Sequence, residues 1–281
     1  MKQITIEEMY GLHYKDLWDE EVKDSLAEPF QEYSRSYIQN ESITRKVLEI
    51  ESMHTNDIEN MVDVLNLDPR CLTPRQGGYI IPKRGSVPAF TVHPDNDYGF
   101  ELATNPVIKW DEATKPITDP IESVPLKAAR GIVATEHIEL AKLLDKAVTE
   151  KNTMEVVGMT LDDFSNLVTF IQGKFEVKNI IMNDKTNTDL SKNWKHPDGR
   201  KELLKFATIC KAQVHTAPEF KEEVIYLCGT PKDVGIFSIA YDIHCLTAHD
   251  AHKLRFGWVF AEKIGIFIKQ NALIQKIVIL K

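Results

Sequence analysis

Between Asp68 and Pro106 the chain carries six of its 13 prolines, at 69, 74, 82, 88, 94 and 106, together with Gly77, Gly78, Gly85 and Gly99. Proline lacks an amide donor and its ring collides with the preceding turn, so no helix can run through this stretch. Extended chain remains. Tyr79-Ile80-Ile81 and Ala89-Phe90-Thr91-Val92 are strand-like runs on either side of Pro82-Lys83-Arg84-Gly85, and they predict a long hairpin. With so little apolar surface of its own, such a hairpin needs a neighbour to be stable.

The segment before it has the opposite character. Residues 1–66 hold six basic and fifteen acidic side chains, a balance of −9, whereas the other 215 residues balance at +1. The acidity of the chain, −8 in total, therefore belongs to its first quarter. Its pattern predicts short helices. Thr5 and Glu8 open one that runs to about Ala27, and Pro29 breaks it. A second covers about Pro29 to Gln39. A third starts near Ser42 with Ile43, Val47 and Ile50 at helical spacing, and a fourth lies between Asn56 and Leu65. Brief aromatic-bearing helices of this kind suggest an arm that packs on something else. The charge fits solvated helix faces, or a segment that avoids polyanions or meets a partner.

After the hairpin, Val107-Ile108-Lys109-Trp110 reads as a strand, followed by a proline-punctuated stretch to Pro125. The clearest helix comes next. Thr135 can cap it, and Ile138, Ala141, Leu144 and Val148 form one stripe beside a second of Leu140, Leu143 and Ala147. Thr160 and Asp163 make a capping box for Leu161, Phe164, Leu167, Val168 and Ile171, with Gly173 as the stop. A strand over Phe175–Met182, a turn of helix over Asp184–Leu190 and a short helix over Arg200–Phe206 follow. The rest reads as β: Val224–Cys228, Ile236–Ile243, Arg255–Phe260, Ile264–Ile268 and Leu273–Leu280.

Composition excludes several classes. Hydrophobic residues are 43% and charged residues 27% of the chain, a globular and not a disordered mix. Cys71, Cys210, Cys228 and Cys245 contain no CxxC pair, which predicts a reduced cytoplasmic chain and not a disulfide scaffold. The start does not read as a secretory signal, and no apolar run reaches the roughly 20 residues that span a bilayer. The acidic balance and the lack of basic–aromatic clusters argue against a dedicated nucleic-acid binder.

No GxGxxG, Walker A, GxSxG or HExxH motif occurs. His244, Cys245, His249, Asp250 and His252 make the best metal-like group, since imidazole and thiolate suit zinc. Adjacent strand residues face opposite sides, however, so His244 and Cys245 cannot share a site, and a polar strand end is the better reading. His93, His196 and His215 show no partner and read as surface or interface residues. Asp162-Asp163 and Glu222-Glu223 read as helix-start and loop charges. No catalytic, cofactor-binding or metal residue is expected.

The order of segments resembles the major capsid proteins of tailed bacteriophages, the Hong Kong 97 fold. Gly131–Glu150 is similar to the family's spine helix, and Thr160–Asn183 to its axial-domain helix and strand. Glu223–Ile243 resembles a strand, small-residue turn and return strand, and Leu254–Ile277 the closing segment. The resemblance implies an α+β fold with an N-terminal helical arm (1–66), an extended loop (67–106), a peripheral domain with a spine helix (107–154), an axial domain (155–235), and return strands with a C-terminal strand (236–281). Residues 1–66 are too short and too aromatic for a cleaved scaffolding segment. Lys83 falls near the loop tip, but the other two residues of the family's crosslink have no match, so crosslinking is not carried over.

The implied function is structural: an icosahedral shell around double-stranded DNA, assembled in the host cytoplasm and located in the virion. Its partners would be further copies of itself in pentamers and hexamers, a portal, scaffolding or decoration proteins, and non-specific contact with packaged DNA, with no membrane. On this reading the acidic arm lines the inner surface or wraps a neighbour. The alternatives are an encapsulin-like nanocompartment shell, and a metal-dependent hydrolase using His244, His249, Asp250 and His252.

Overall fold

The structure is a computed structural model, and it describes residues 20–52, 79–80, 90–92, 100–104, 107–109, 120–192, 208–250 and 255–280. In chain order the elements are helices α1 (Glu20–Ser25), α2 (Ala27–Glu41) and α3 (Thr44–Val47), then strands β1 (Glu49–Ser52), β2 (Tyr79–Ile80), β3 (Phe90–Val92), β4 (Phe100–Thr104) and β5 (Val107–Lys109). The long helix α4 (Pro120–Ala147) leads to β6 (Thr153–Val157), α5 (Leu161–Gln172), β7 (Asn179–Met182) and α6 (Asp184–Lys192). The remainder is β8 (Thr208–Ile209), β9 (Ala212–Thr216), β10 (Val224–Cys228), α7 (Pro231–Val234), β11 (Gly235–Asp250), β12 (Arg255–Ile268) and β13 (Ile274–Leu280). One sheet runs β1-β11-β12-β3-β2, with β4 and β5 also pairing along β12; the other runs β6-β13-β10-β7-β9-β8.

The chain divides into two compact units. The first comprises residues 1–42, 100–136 and 239–264, and the second residues 43–99, 137–238 and 265–281.

In the first unit, α2 buries Phe30, Ser34 and Ile38, one turn apart along a single face. Phe30 meets Trp258 of β12 edge-on, with ring centroids 4.8 Å apart, and the Trp258 indole donates to the carbonyl of Lys23 at 3.3 Å. Arg35 and Asp242 form an ion pair at 2.5 Å, and the Ser34 hydroxyl donates to the Pro125 carbonyl. β4 and β5 pair with β12 antiparallel, with Phe260 opposite Thr104 and Phe256 opposite Ile108.

Several helix limits differ from those the sequence implies. The break in the N-terminal helices falls at Leu26 and not at Pro29, which sits in the first turn of α2. An amide there has no intrahelical acceptor, so proline costs nothing. Helix α4 likewise begins at Pro120, fifteen residues before Thr135, and holds Pro125 inside it. Its buried stripe in the second unit is His137, Leu140, Leu143, Leu144 and Ala147, while Ile138 is exposed. The helix expected from Ser42 to Ile50 ends at Val47, and Ile50 lies in strand β1. The expected helices at 5–19, 56–65 and 200–206 lie outside the described residues.

The second unit is built on the six-stranded sheet. β7 and β10 are its central strands and are buried at every position, as expected for strands covered on both faces. Phe164, Val168 and Ile171 of α5 form a core with Ile180, Met182, Ile225, Leu227 and Ile277. Thr160 and Asp163 close the expected capping box. The strand expected over Phe175–Met182 starts only at Asn179, and β6 and β9 are strands that periodicity does not reveal. The β8–β9 turn is Cys210-Lys211, both left-handed at φ +50° and +69°. Two-residue hairpin turns need this geometry, and Gln172 Nε2 holds it by donating to the Cys210 carbonyl at 2.8 Å.

Candidate assembly surface

The expected hairpin exists: β2 and β3 pair antiparallel, with Tyr79 opposite Thr91 and Ile80 opposite Phe90. Its base is hydrogen-bonded to β12, with Val92 opposite Phe267 and Thr91 opposite Ile268. The long strand thus supplies the neighbour that the proline-rich segment lacks in its own sequence. Lys83 and His93 lie outside the described residues.

β6 is a terminal strand of the six-stranded sheet, parallel to β13, and pairs Val157 with Leu280. Among the described residues no strand covers its outer edge. Val157, at the end of this edge strand, is 74% exposed, and Leu280, its partner at the end of β13, is 38% exposed.

Two polar clusters secure α4 in the second unit. Asp145 accepts from Tyr226 Oη and Lys276 Nζ through Oδ1 and from Lys221 Nζ through Oδ2, each at 2.6 Å. Burial alone would raise the pKa of this carboxyl, but the bonds from Lys221, Lys276 and Tyr226 prevail and lower it to about 2. The same burial and the Asp145 charge push the Tyr226 phenol upward. Two turns before it, His137 Nε2 accepts from the Ile43 amide at 3.0 Å while Nδ1 donates to Glu219 at 3.2 Å. That pairing places the proton on Nδ1.

The metal-like group does not converge on a site within the described residues. His244 is exposed on β11 and stacks on Tyr241 with centroids 5.6 Å apart. Cys245 faces the other way, is buried, and has its thiol pushed up to about 12 by burial, far from a thiolate ligand. The side chains of His249 and Asp250 and the whole of His252 lie outside the described residues. Among the described residues no three His, Cys, Asp or Glu side chains are placed to hold a metal.

His215, for which the sequence shows no partner, has one in the structure. It lies on β9, and Nε2 donates to Asn179 Oδ1 at 2.9 Å. Burial, with Lys46 adding to it, lowers its pKa to about 4. Asp163 is the helix-start charge expected, its pKa lowered by the Thr160 hydroxyl and amide. Glu222 pairs with Lys185 at 2.5 Å at the rim of a cleft of about 270 Å³ that also includes Asp189 and Glu223. The Thr186 hydroxyl in that cleft accepts from the Glu223 amide at 3.0 Å. Among the described residues no helix is long and apolar enough to cross a membrane.

No family model matches the chain, and no curated protein matches it either. Solved structures do. A virus-like particle from Pyrococcus furiosus is 15% identical, with a TM-score of 0.58 over 88% of this chain and 97% of that one. A structure from Microbacterium phage Oxtober96 follows the same path at 10% identity, with a TM-score of 0.55 over 85% of this chain and 91% of that one. This is the Hong Kong 97-type capsid fold. A phage-related protein from Bordetella bronchiseptica RB50 shares it at 9% identity, with a TM-score of 0.55 over 89% and 95% of the two chains. The α+β architecture expected from the order of segments is therefore the one observed.

Proposed function

We propose that this chain is a major capsid protein that assembles into an icosahedral shell around the double-stranded DNA of a tailed phage. The observation that carries this reading is the extent of the fold match: 88% of this chain superimposes on 97% of a chain that forms a virus-like particle. Among the described residues, the clustered polar groups around Asp145 and His137 bind one another and secure helix α4 to its neighbours. The role is structural and not catalytic, in the virion after assembly in the host cytoplasm.

The physics of such a shell is multivalent. Each copy makes several modest contacts, and closure adds them through effective concentration. An extended loop seated at its base on β12 and the edge strand β6 ending in Val157 are elements able to make them. A portal, scaffolding or decoration proteins, and packaged DNA complete the partners in this reading.

Electron microscopy and sedimentation of the purified full-length chain test it. Pentamers, hexamers or closed particles are expected, and a stable monomer at high concentration would rule the shell out. Particles filled with a protein cargo instead of nucleic acid would replace the virus by a nanocompartment.

A further inference from the structure

The C-terminal half of α4 gathers positive charge in the part of the chain that composition leaves nearly neutral. Lys142 and Lys146 lie one turn apart on its solvent side, and both are exposed. Lys221 and Lys276 reach the same turn from outside the helix, each bonded to Asp145 at 2.6 Å. Lys221 and Lys276 thus pair with Asp145, and Lys142 pairs with Glu139 at 2.6 Å, with Lys146 one turn further along the helix.

Both carboxylates and Lys276, itself 19% exposed, are recessed, and Lys142 and Lys221 stand out from them. Glu139 is 13% and Asp145 24% exposed, against 57% for Lys142 and 67% for Lys221. Asp145 is moreover saturated, because Tyr226, Lys221 and Lys276 occupy both of its oxygens. A polyanion approaching this face therefore meets ammonium groups before carboxylates.

We propose that Lys142, Lys146 and Lys221 form a contact for the phosphate backbone of duplex DNA. This deepens the capsid reading and rests on it. Lysines on flexible stems supply point charges without base readout, which suits sequence-independent binding. The −9 balance of residues 1–66 sets them apart from the nearly neutral body that carries this face.

The test uses the full-length chain with an end-labelled DNA duplex, measuring affinity by fluorescence anisotropy across a salt series. Sedimentation of the same samples records assembly. The wild type should bind with log K falling linearly in log salt. The variant Lys142→Gln/Lys146→Gln should lower the steepness of that line by about 1.8, since each lost phosphate contact removes about 0.9. Lys142→Arg/Lys146→Arg should bind like the wild type, and Lys174→Gln on α5 should change nothing.

An unchanged slope in the glutamine variant, or equal losses in the glutamine and arginine variants, overturns the proposal. Normal DNA binding with defective assembly in the glutamine variant also overturns it, and assigns the face to an acidic segment of a second copy. Particles that form normally while the slope stays unchanged leave the capsid reading standing without this contact. A wild type that never assembles removes the capsid reading itself, whatever the binding result.

Discussion

The phenol of Tyr226 donates to Asp145 Oδ1 at 2.6 Å, joining the central strand β10 to the last turns of helix α4 across 81 residues of sequence. Lys276 of β13 reaches the same oxygen, so one carboxylate fastens the long helix to two neighbouring strands.

Replacing Asp145 by Asn should cost about 2 kcal/mol, the scale of charged hydrogen bonds lost at a partly buried site. Because its folded pKa, about 2, lies below the ordinary 3.8, the unfolded chain takes up the proton first on acidification. The stability that Asp145 contributes is complete above about pH 4 and is lost as the pH falls through 2. Urea unfolding at pH 6 and pH 2.5 checks this: the gap between the two should shrink in Asp145→Asn.

His215 predicts a separate window at higher pH. Burial lowers its folded pKa to about 4 from 6.5, so the neutral form is the folded one. Stability should be greatest above pH 6.5, decline as the pH falls from 6.5 to 4, and then level off. Partial exposure limits the effect to about 2 kcal/mol. His215→Gln should remove this limb of a melting-temperature profile and leave the limb below pH 4 in place. Loss of both limbs together would mean that His215 and Asp145 do not titrate separately.

Two glycines should respond oppositely to alanine. A Cβ at Gly235 would stand 2.1 Å from the Phe267 carbonyl oxygen, a backbone atom of the adjacent strand. Gly235→Ala should therefore destabilise by roughly 3 kcal/mol or more, since one of two paired strands has to move. At Gly131, inside α4, a Cβ meets nothing within 4 Å. Gly131→Ala should stabilise by about 0.5–1 kcal/mol through helix propensity alone. Thermal unfolding of the two variants side by side decides both.

What could be read in advance follows the range of the interactions involved. The α5 capping box closes within four residues, and Thr160 with Asp163 displays it openly. The proline-rich hairpin was legible because proline forbids the alternative. β12 was not legible as one strand. Its inward positions run Trp258, Phe260, Glu262, Ile264, all buried, and a glutamate in that series breaks an apolar pattern while keeping the period of two. The start of α4 was hidden because Pro120 and Pro125 read as breakers, although Pro120, at the first helical position, is compatible with a helix. Asp145 carried no signal of its role. Its partners are 76, 81 and 131 residues away, and spacing along a helix says nothing about contacts that distant.

The N-terminal helices supply the last prediction, because their apolar face is covered within this chain. Leu26, Phe30 and Ile38 are fully buried, and Phe30 lies 4.8 Å from the ring of Trp258, itself fully buried. An arm seated only on a neighbouring copy would leave residues 107–281 folded when residues 1–66 are deleted. Here that deletion uncovers Trp258 and removes the ring against it. Phe30→Ala should cost about 3–5 kcal/mol, the scale of a deleted core aromatic. It should also shift the emission of Trp258 to the red, which a variant retaining only Trp258 among the tryptophans would isolate. Unchanged stability and emission in the unassembled protein would show that α2 does not cover Trp258 within a single copy.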